Sequence, residues 1–193
     1  MKKLFCILAL SSASLFAHAE LISNVPEGSI YASMPLAELQ AAATQGNVNA
    51  QFYLANRFKA GKGTDQDMRQ AFSWYMKAAQ QGAAPAQLNV GQMYAQGRGV
   101  NRDMIQAKTW LQKAAKQGDN RASYNLALLE EREMNLSDAY KWYDVSSREG
   151  MLDSQVKDRA QDKIRKLAAN LSPQDQQSAR QRADRWLQEP VRQ

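Results

Sequence analysis

The sequence has almost none of the residues on which nucleophilic and metal chemistry most often depends. Its 193 residues include one cysteine and one histidine, and both of them, Cys6 and His18, lie among the first 19 residues. Without that segment the chain has no disulfide, no Ser-His-Asp or Cys-His catalytic group and no zinc site of the usual kind. We therefore predict a protein that is not an enzyme and that holds no metal or cofactor.

Residues 1–19 have the pattern of a secretory signal peptide. Two lysines precede an apolar run over residues 4–16, and the Ala-His-Ala at 17–19 has the form of a cleavage site. The apolar run is too short to span a membrane, and no later run is longer, so we expect no membrane insertion. A buried N-terminal helix is the alternative. The pattern predicts cleavage between Ala19 and Glu20 and a periplasmic or secreted bacterial protein.

The charge balance is modest. Of 25 basic residues, two lie in the predicted signal peptide, which leaves 23 against 19 acidic residues. Nucleic-acid-binding proteins concentrate more positive charge on one face, so we do not expect nucleic acid as a partner. The remaining length is enough for one domain with its own core.

What the sequence does contain is an internal repeat. The stretch GKGTDQDMRQAFSWYMKAAQQG begins at Gly61, and GRGVNRDMIQAKTWLQKAAKQG begins at Gly97, 36 residues later, with 12 of 22 positions identical. Glycine just past a periodic run ends a helix, and the following Asp-x-x-Gln has the spacing of a capping box that starts the next helix. Such a helix pair cannot bury its own apolar face, so we predict that it stacks on copies of itself.

The second helix of each unit has one apolar face. Ala71, Trp74 and Ala78 lie at i, i+3 and i+7, where the alanines let a neighbouring helix approach and the tryptophan fills the space beside them. We therefore predict that Trp74 and its equivalents Trp110 and Trp142 are core residues and not a platform for stacking ligands. The Gly-x-Gly loops follow no strand, so we interpret them as turns and not as phosphate-binding loops.

Residues 86–118 follow the pattern A-x-x-x-L-G-x-x-Y-x-x-G-x-G-V-x-x-D-x-x-x-A-x-x-W-x-x-x-A-A-x-x-G almost throughout, with Val90 for the leucine. This pattern resembles the Sel-1-like repeat, a longer relative of the tetratricopeptide repeat. Residues 50–82 follow it with Ala55 for the glycine, Phe58 for the tyrosine and Thr64 for the valine. The resemblance implies an all-α, right-handed solenoid of about three helix-turn-helix repeats with helical caps.

The resemblance and the repeat spacing also divide the chain. An extended N-terminal arm at 20–34 precedes a repeat array at 35–150, and residues 151–193 form C-terminal capping helices. Within the array, the predicted cap helix and the three repeats cover residues 35–46, 47–82, 83–118 and 119–150.

The third repeat departs from the pattern. Its Ala139 and Gly150 lie only 32 residues after their equivalents in the second repeat, and Ser146 and Ser147 replace the alanine pair. Because four residues and the Gly-x-Gly loop are missing, we predict a tighter turn. Further on, Ser172 followed by proline predicts the start of the last helix.

An acidic cluster occupies the place of the missing loop. Glu130, Glu131 and Glu133 stand out in an otherwise basic chain. Two interpretations remain open: a solvated helix end, and a docking point for a basic partner.

The resemblance further implies that the first helix of each repeat lines a concave surface, and that this surface binds a partner. Amide and apolar side chains interleaved with a few charges suit a protein ligand, with Tyr124 as the best single candidate for an energetic hot spot. A packing role for Tyr124 against the second repeat is the alternative. The predicted concave positions are Asn49, Phe52, Asn56, Lys59, Leu88, Gln92, Gln96, Arg121, Tyr124, Leu128 and Glu131.

The function implied is that of a periplasmic or secreted protein-interaction module. Its most concrete form is an immunity protein, since periplasmic family members neutralise phospholipase effectors of type VI secretion. Two alternatives are β-lactam binding or weak hydrolysis, as in cysteine-rich relatives, and a scaffold for assembly of the cell envelope. The β-lactam alternative conflicts with the absence of a disulfide in each repeat. The partner's identity and the oligomeric state are not predicted.

Overall fold

The computed structural model describes residues 27–148 and 154–189, and the regular structure of these residues is entirely α-helical. The predicted signal peptide lies outside the described residues. The helices are α1 (Glu27–Ser33), α2 (Leu36–Thr44), α3 (Val48–Ala60), α4 (Met68–Gln80), α5 (Ala84–Gln96), α6 (Met104–Lys116), α7 (Asn120–Arg132), α8 (Leu136–Arg148), α9 (Ser154–Ala168) and α10 (Pro173–Gln188).

Six consecutive helices of 13 residues each form three helix pairs, which we call repeats one, two and three. In each pair we call α3, α5 and α7 the first helices and α4, α6 and α8 the second helices. Every second helix packs against its own first helix, and α4 and α6 also pack against the first helix of the next repeat. This stacking confirms the predicted all-α solenoid.

The helix ends follow the predicted capping pattern. Gly61 and Gly97 end α3 and α5 in the left-handed conformation, with φ of 68° and 69°. The side chains of Asp67 and Asp103 begin α4 and α6 by accepting hydrogen bonds from backbone N–H groups at the start of each helix. Because these side chains satisfy N–H groups that the helix itself cannot, they specify where the second helices start.

The turn of the third repeat is shorter, as predicted. Residues 133–135 connect α7 to α8, whereas residues 61–67 and 97–103 connect the earlier pairs. The four missing residues are therefore lost from the turn, and both helices keep their full length. Met134 makes the turn with φ of 63°, which is a strained conformation for a side chain with a Cβ.

Buried glutamines tie repeat one to the cap helix α2 and repeat two to repeat one. Gln87 of α5 is 5% exposed. Its Nε2 donates to the carbonyl of Ala79 at 3.2 Å, and its Oε1 accepts from Nε2 of Gln117 at 2.8 Å. Gln51 makes the equivalent two bonds one repeat earlier. Because buried amides must find partners, these bonds favour one register of stacking.

The prediction of an extended arm is wrong for residues 27–33, which form α1. Tyr31 of this helix stacks on Tyr53 of α3, with ring centroids 6.2 Å apart. Arg57 donates to the carbonyls of Ala32 at 2.9 Å and Met34 at 3.0 Å. A helix of seven residues has too few turns to show periodicity or to be stable alone, so contacts with α3 stabilise it.

Helices α9 and α10 follow the array. Ser172 accepts a hydrogen bond from the backbone N–H of Asp175 at the start of α10, as predicted. Ala179 and Ala183 of α10 are fully buried in the core cluster that contains α8. Arg148 at the end of α8 forms an ion pair with Asp184 of α10. The last helix therefore covers the apolar side of the third repeat.

The core consists of two adjoining clusters, and α6 contributes to both. Trp110 packs in the cluster of repeats one and two, while its neighbour Leu111 packs in the cluster of the C-terminal half. The tryptophan prediction is confirmed for Trp110 and Trp142, which are 8% and 3% exposed. Trp74 is only half-buried and packs at the edge of the cluster of repeats one and two.

We expect Trp110→Ala to lower the free energy of unfolding by about 3–5 kcal/mol, because it removes a large side chain from a packed interface. Neighbouring repeats depend on that interface, so the whole array should lose stability together. Trp74→Ala, at the equivalent half-buried position, is the control and should cost clearly less. Urea unfolding followed by circular dichroism measures both, and equal losses would contradict this account of the core.

The second glycine of each loop has a different surrounding in the two repeats. Gly63 and Gly99 have nearly the same φ, 75° and 74°. A Cβ at Gly99 would lie 2.0 Å from the backbone oxygen of Met68, whereas a Cβ at Gly63 would meet only Nη1 of Arg57 at 3.4 Å. The loop of repeat two therefore packs directly on the start of α4.

Alanine substitutions at Gly63 and Gly99 distinguish the cost of backbone strain from the cost of losing the contact between the loop and α4. Gly63→Ala should cost about 1 kcal/mol of unfolding free energy, because alanine disfavours positive φ. Gly99→Ala should cost at least about 2 kcal/mol more, because the loop must also move away from α4. The same urea experiment compares the two variants. Similar costs would show that the loop of repeat two does not need its close contact with Met68.

Candidate partner-binding face

The solvent-facing side of α3, α5 and α7, which we call the first-helix face, contains the predicted binding residues. In solenoids of stacked helix pairs, one such face forms an extended concave surface. Asn49 and Gln96 are exposed, and Leu88 is buried. The other predicted residues are half-buried: Phe52, Asn56, Lys59, Gln92, Arg121, Tyr124, Leu128 and Glu131.

The apolar positions of this face belong to the packing within each repeat. Phe52 contacts the ring of Tyr75 at 5.7 Å between centroids, and Tyr124 contacts Tyr143 in the same way at 5.3 Å. Leu88 stands at the same repeat position and is only 5% exposed, so its prediction as a partner-binding residue is wrong. Its side chain packs in the core cluster that repeat two shares with repeat three.

Polar side chains of repeat one are held by hydrogen bonds. Asn56 accepts from the buried hydroxyl of Tyr75 at 2.5 Å, and Lys59 donates to Oδ1 of Asn89 at 2.9 Å. Burial raises the pKa of Tyr75. Burial lowers the pKa of Lys59, and the guanidinium of Arg98 lowers it further. These groups are thus partly withdrawn from water and fixed in direction.

Two asparagines on this face were missed by the sequence analysis. Asn89 and Asn125 each donate to the carbonyl four residues earlier on their own helix. Each also accepts from the preceding first helix, from Lys59 at 2.9 Å and from Gln92 at 3.4 Å. Their separation of 36 residues was the available signal, because a polar residue kept at one repeat position indicates a contact between copies.

The far end of the face is covered by the chain itself. Oε2 of Glu131 accepts from the hydroxyl of Tyr143 at 2.6 Å, and both carboxylate oxygens accept from Lys163 of α9 at 2.8 and 2.9 Å. Burial alone would raise the pKa of Glu131, but the hydrogen bonds from Lys163 and Tyr143 hold it below its usual value. The bonds to Tyr143 of α8 and to Lys163 of α9 therefore make Glu131 less available to a partner.

The rest of the acidic cluster is also paired within the chain. Lys108 of α6 binds Glu130 at 2.9 Å and Glu133 at 2.7 Å. Asn135, at the end of the short turn, donates to the other oxygen of Glu130 at 2.9 Å. The cluster ties the third turn to α6, which is an alternative to both interpretations offered from the sequence.

Within residues 27–148 and 154–189, no group of His, Cys, Asp and Glu side chains is arranged to hold a metal ion. The helices of those two ranges include none with the length and apolar character that crossing a membrane requires.

The Sel1 repeat family model matches residues 48–82 and 84–119, which are the first two repeats. Among solved structures, a Sel1 repeat protein from Oxalobacter formigenes is 34% identical. The similarity covers 66% of this chain and 97% of that chain, with a TM-score of 0.53. No curated protein matches the chain significantly.

Two more solved structures are similar to the chain at lower identity. One is a protective antigen present in uropathogenic Escherichia coli strains that displays an SLR fold, with 23% identity over 81% of this chain and 41% of that chain and a TM-score of 0.48. The other is cysteine rich protein B of Helicobacter pylori, with 24% identity over 56% of this chain and 79% of that chain and a TM-score of 0.43.

We expect Glu131→Gln to lower the free energy of unfolding at pH 7 by about 1 kcal/mol, because it weakens the bonds to Lys163 and Tyr143. In the folded protein the pKa of Glu131 lies below its usual value of 4.5. Its contribution is therefore present above that pH and lost as the pH falls through the folded-state pKa. The difference between parent and variant should shrink between pH 5 and pH 3, as measured by urea unfolding.

The matched control is Asp162→Asn on α9, the helix that contains Lys163. Asp162 pairs with Lys166 at 2.7 Å on an exposed surface, so its loss should change stability little. A Glu131→Gln variant as stable as the parent at pH 7 would show that the ion pair of Glu131 with Lys163 does not stabilise the packing of α9.

Proposed function

Because the chain belongs to the Sel1 repeat family, whose members generally mediate protein–protein interaction, we propose that it binds a protein partner through the first-helix face of repeats one and two. The observation that carries this proposal is the line of hydrogen-bonded polar side chains on that face. Lys59, Asn89 and Gln92 are half-buried and bonded to neighbouring helices. Asn49 and Gln96 lie exposed on the same helices.

Fixed polar groups favour binding because little of their freedom is lost when a partner arrives. Ordering a flexible side chain at an interface costs about 0.5–1.5 kcal/mol. The hydrogen bonds of Asn89 and Asn125 already restrict these side chains in the folded chain, so binding needs to order them less. A partner with backbone or amide groups can then use the remaining donors and acceptors of these side chains.

The proposal places the site on the first two repeats because the third is more fully used by the chain. Tyr124 packs on Tyr143, and Glu131 is bonded to Lys163 of α9. Arg121 binds the buried carboxylate of Asp119 at 2.7 and 3.0 Å. Of the predicted residues, the polar ones on α3 and α5 are consequently the ones offered to a partner.

Within this function, the specific hypothesis is a periplasmic immunity protein that neutralises a secreted antibacterial effector. It is supported by the signal-peptide pattern of residues 1–19 and by the absence of cysteine and histidine beyond them. Sel1 repeat proteins are typically non-catalytic scaffolds for protein interaction. The envelope-scaffold alternative predicts a different partner on the same face, so the partner's identity separates the two.

The test compares partner capture by the parent and by the variant Asn49→Arg, Gln96→Arg. Both positions are exposed, so the variant should fold normally while adding bulk and charge to the face. Protein extracted from the cell envelope and from competing cells is passed over each immobilised chain. We expect one stoichiometric partner on the parent and at least about a tenfold loss of affinity in the variant.

The control variant is Ser73→Arg, Gln112→Arg, which adds the same charge at exposed positions of the second helices α4 and α6. It should capture the partner as the parent does. Equal loss in both variants, or undiminished capture by the face variant, would move the site away from the first-helix face. A captured protein that kills cells unless this chain is co-expressed would support the immunity hypothesis.

A further inference from the structure

An open depression lies at the contact between α8 and α10. Its lining residues are Lys141 of α8 and, at the C-terminal end of α10, Arg182, Arg185, Trp186 and Glu189. Three of these five side chains are cationic and one is acidic. The depression is separate from the first-helix face, because it is built from the second helix of repeat three and from the C-terminal cap.

Two tryptophan rings position the lysine of this depression. Trp142 and Trp186 meet edge to face with centroids 4.8 Å apart. The ammonium of Lys141 lies 4.1 Å from the centroid of Trp142 and 5.4 Å from that of Trp186. The aromatic pair therefore holds a cation beside an apolar wall.

This arrangement differs from the lysine–tryptophan pairs of the regular repeats. There the lysine follows the tryptophan by three residues, with Lys77 over Trp74 at 3.8 Å and Lys113 over Trp110 at 4.2 Å. In repeat three that position is Val145, which is buried in the core cluster shared with α10. The lysine comes instead from the residue before the tryptophan, and it therefore reaches the depression.

Several nitrogen donors at the depression have no acceptor. Among the described residues, neither Lys141 nor Arg185 has a side-chain hydrogen bond or ion pair. The side chain of Lys141 is half-buried, and that of Arg185 is exposed. A half-buried cation without an acceptor indicates a place for an anion.

The acidic groups nearby are already engaged. Glu189 binds Lys116 at 2.9 Å, and Asp138 forms an ion pair with Arg182. Burial lowers the pKa of Lys141, the guanidinium of Arg182 lowers it further, and the carboxylates of Asp138 and Glu189 act in the opposite direction. An added anion would offset the cost of burying this cation.

We propose that the depression binds a carboxylate carried by an acidic segment of the protein partner. The inference rests on the proposed function, because it takes the carboxylate to belong to the bound protein. Arginine and lysine donors match a carboxylate. The charge of the lining, with three cations to one engaged carboxylate, favours this occupant.

The experiment uses a hexaglutamate peptide, acetylated and amidated at its ends, with the hexaglutamine peptide as the neutral probe. Binding to the purified protein is followed by the NMR shift of the Trp186 indole N–H at low salt. We expect saturable binding of hexaglutamate, no binding of hexaglutamine, and at least about a tenfold loss of affinity in the variant Lys141→Gln, Arg185→Gln.

The matched control is Lys62→Gln, Arg69→Gln, which removes the same charge from exposed positions near the N-terminal repeat. It should keep affinity for hexaglutamate within about twofold of the parent. An equal loss in the control, or no shift of the Trp186 signal, would overturn the proposal. Binding of phosphatidylglycerol vesicles without binding of hexaglutamate would also overturn it, in favour of a lipid surface.

The peptide titration and the capture experiment test the two proposals independently. The peptide titration contains no partner, so an absent signal overturns the carboxylate site and leaves the first-helix face untouched. Loss of capture in the control of that experiment overturns the first-helix face and leaves the peptide result standing. With the captured partner, the variant Lys141→Gln, Arg185→Gln should bind more weakly than the parent, most clearly at low salt.

Discussion

The whole array depends on alanine at the contacts between helices. These alanines let the helices of one repeat approach each other and those of the next repeat, which a larger side chain would prevent. At that distance the amides of Gln51 and Gln87 reach carbonyls at the end of the preceding helix. Fully buried alanines recur along the array at positions 50, 71, 78, 86, 107, 114, 122 and 139.

The ends of the array show what happens when a neighbouring copy is absent. At the N-terminal end, Arg57 and Tyr53 attach the short helix α1 to α3. At the C-terminal end, α10 buries alanines against α8, and Lys163 of α9 binds Glu131. Both caps replace the missing repeat with contacts that no other repeat makes. The polar features that we associate with binding arise partly from this replacement.

Both proposed surfaces consist mainly of side chains that are not needed for packing between helices. Apolar positions on the first helices, such as Phe52 and Tyr124, are used for contacts within the repeat. Polar side chains are then left at the surface and linked across copies by hydrogen bonds. In repeat three the usual lysine position is Val145, which is buried in the core cluster shared with α10. The lysine beside the two tryptophans is Lys141, which has no acceptor among the described residues.

The sequence by itself determined the repeat length, the helix ends within the repeats, the capping residues and the short third turn, because each depends on local chemistry. Asp67 and Gly61, for example, mark helix ends through their own side-chain and backbone preferences. It also located the first helices that form the candidate face. It did not distinguish Leu88 of α5, which is buried, from Asn49 of α3, which is exposed. Both positions were predicted to lie on the concave side of a first helix.

Only the tertiary structure decided which of those side chains face solvent and which are already bonded. Glu131 is a surface residue by its helical position, and Lys163, 32 residues away, makes it part of the cap. Helix α1 and the depression at Lys141 likewise exist through contacts between distant segments. Such contacts depend on how the copies stack and on where the stack ends, and neither is encoded within a single repeat.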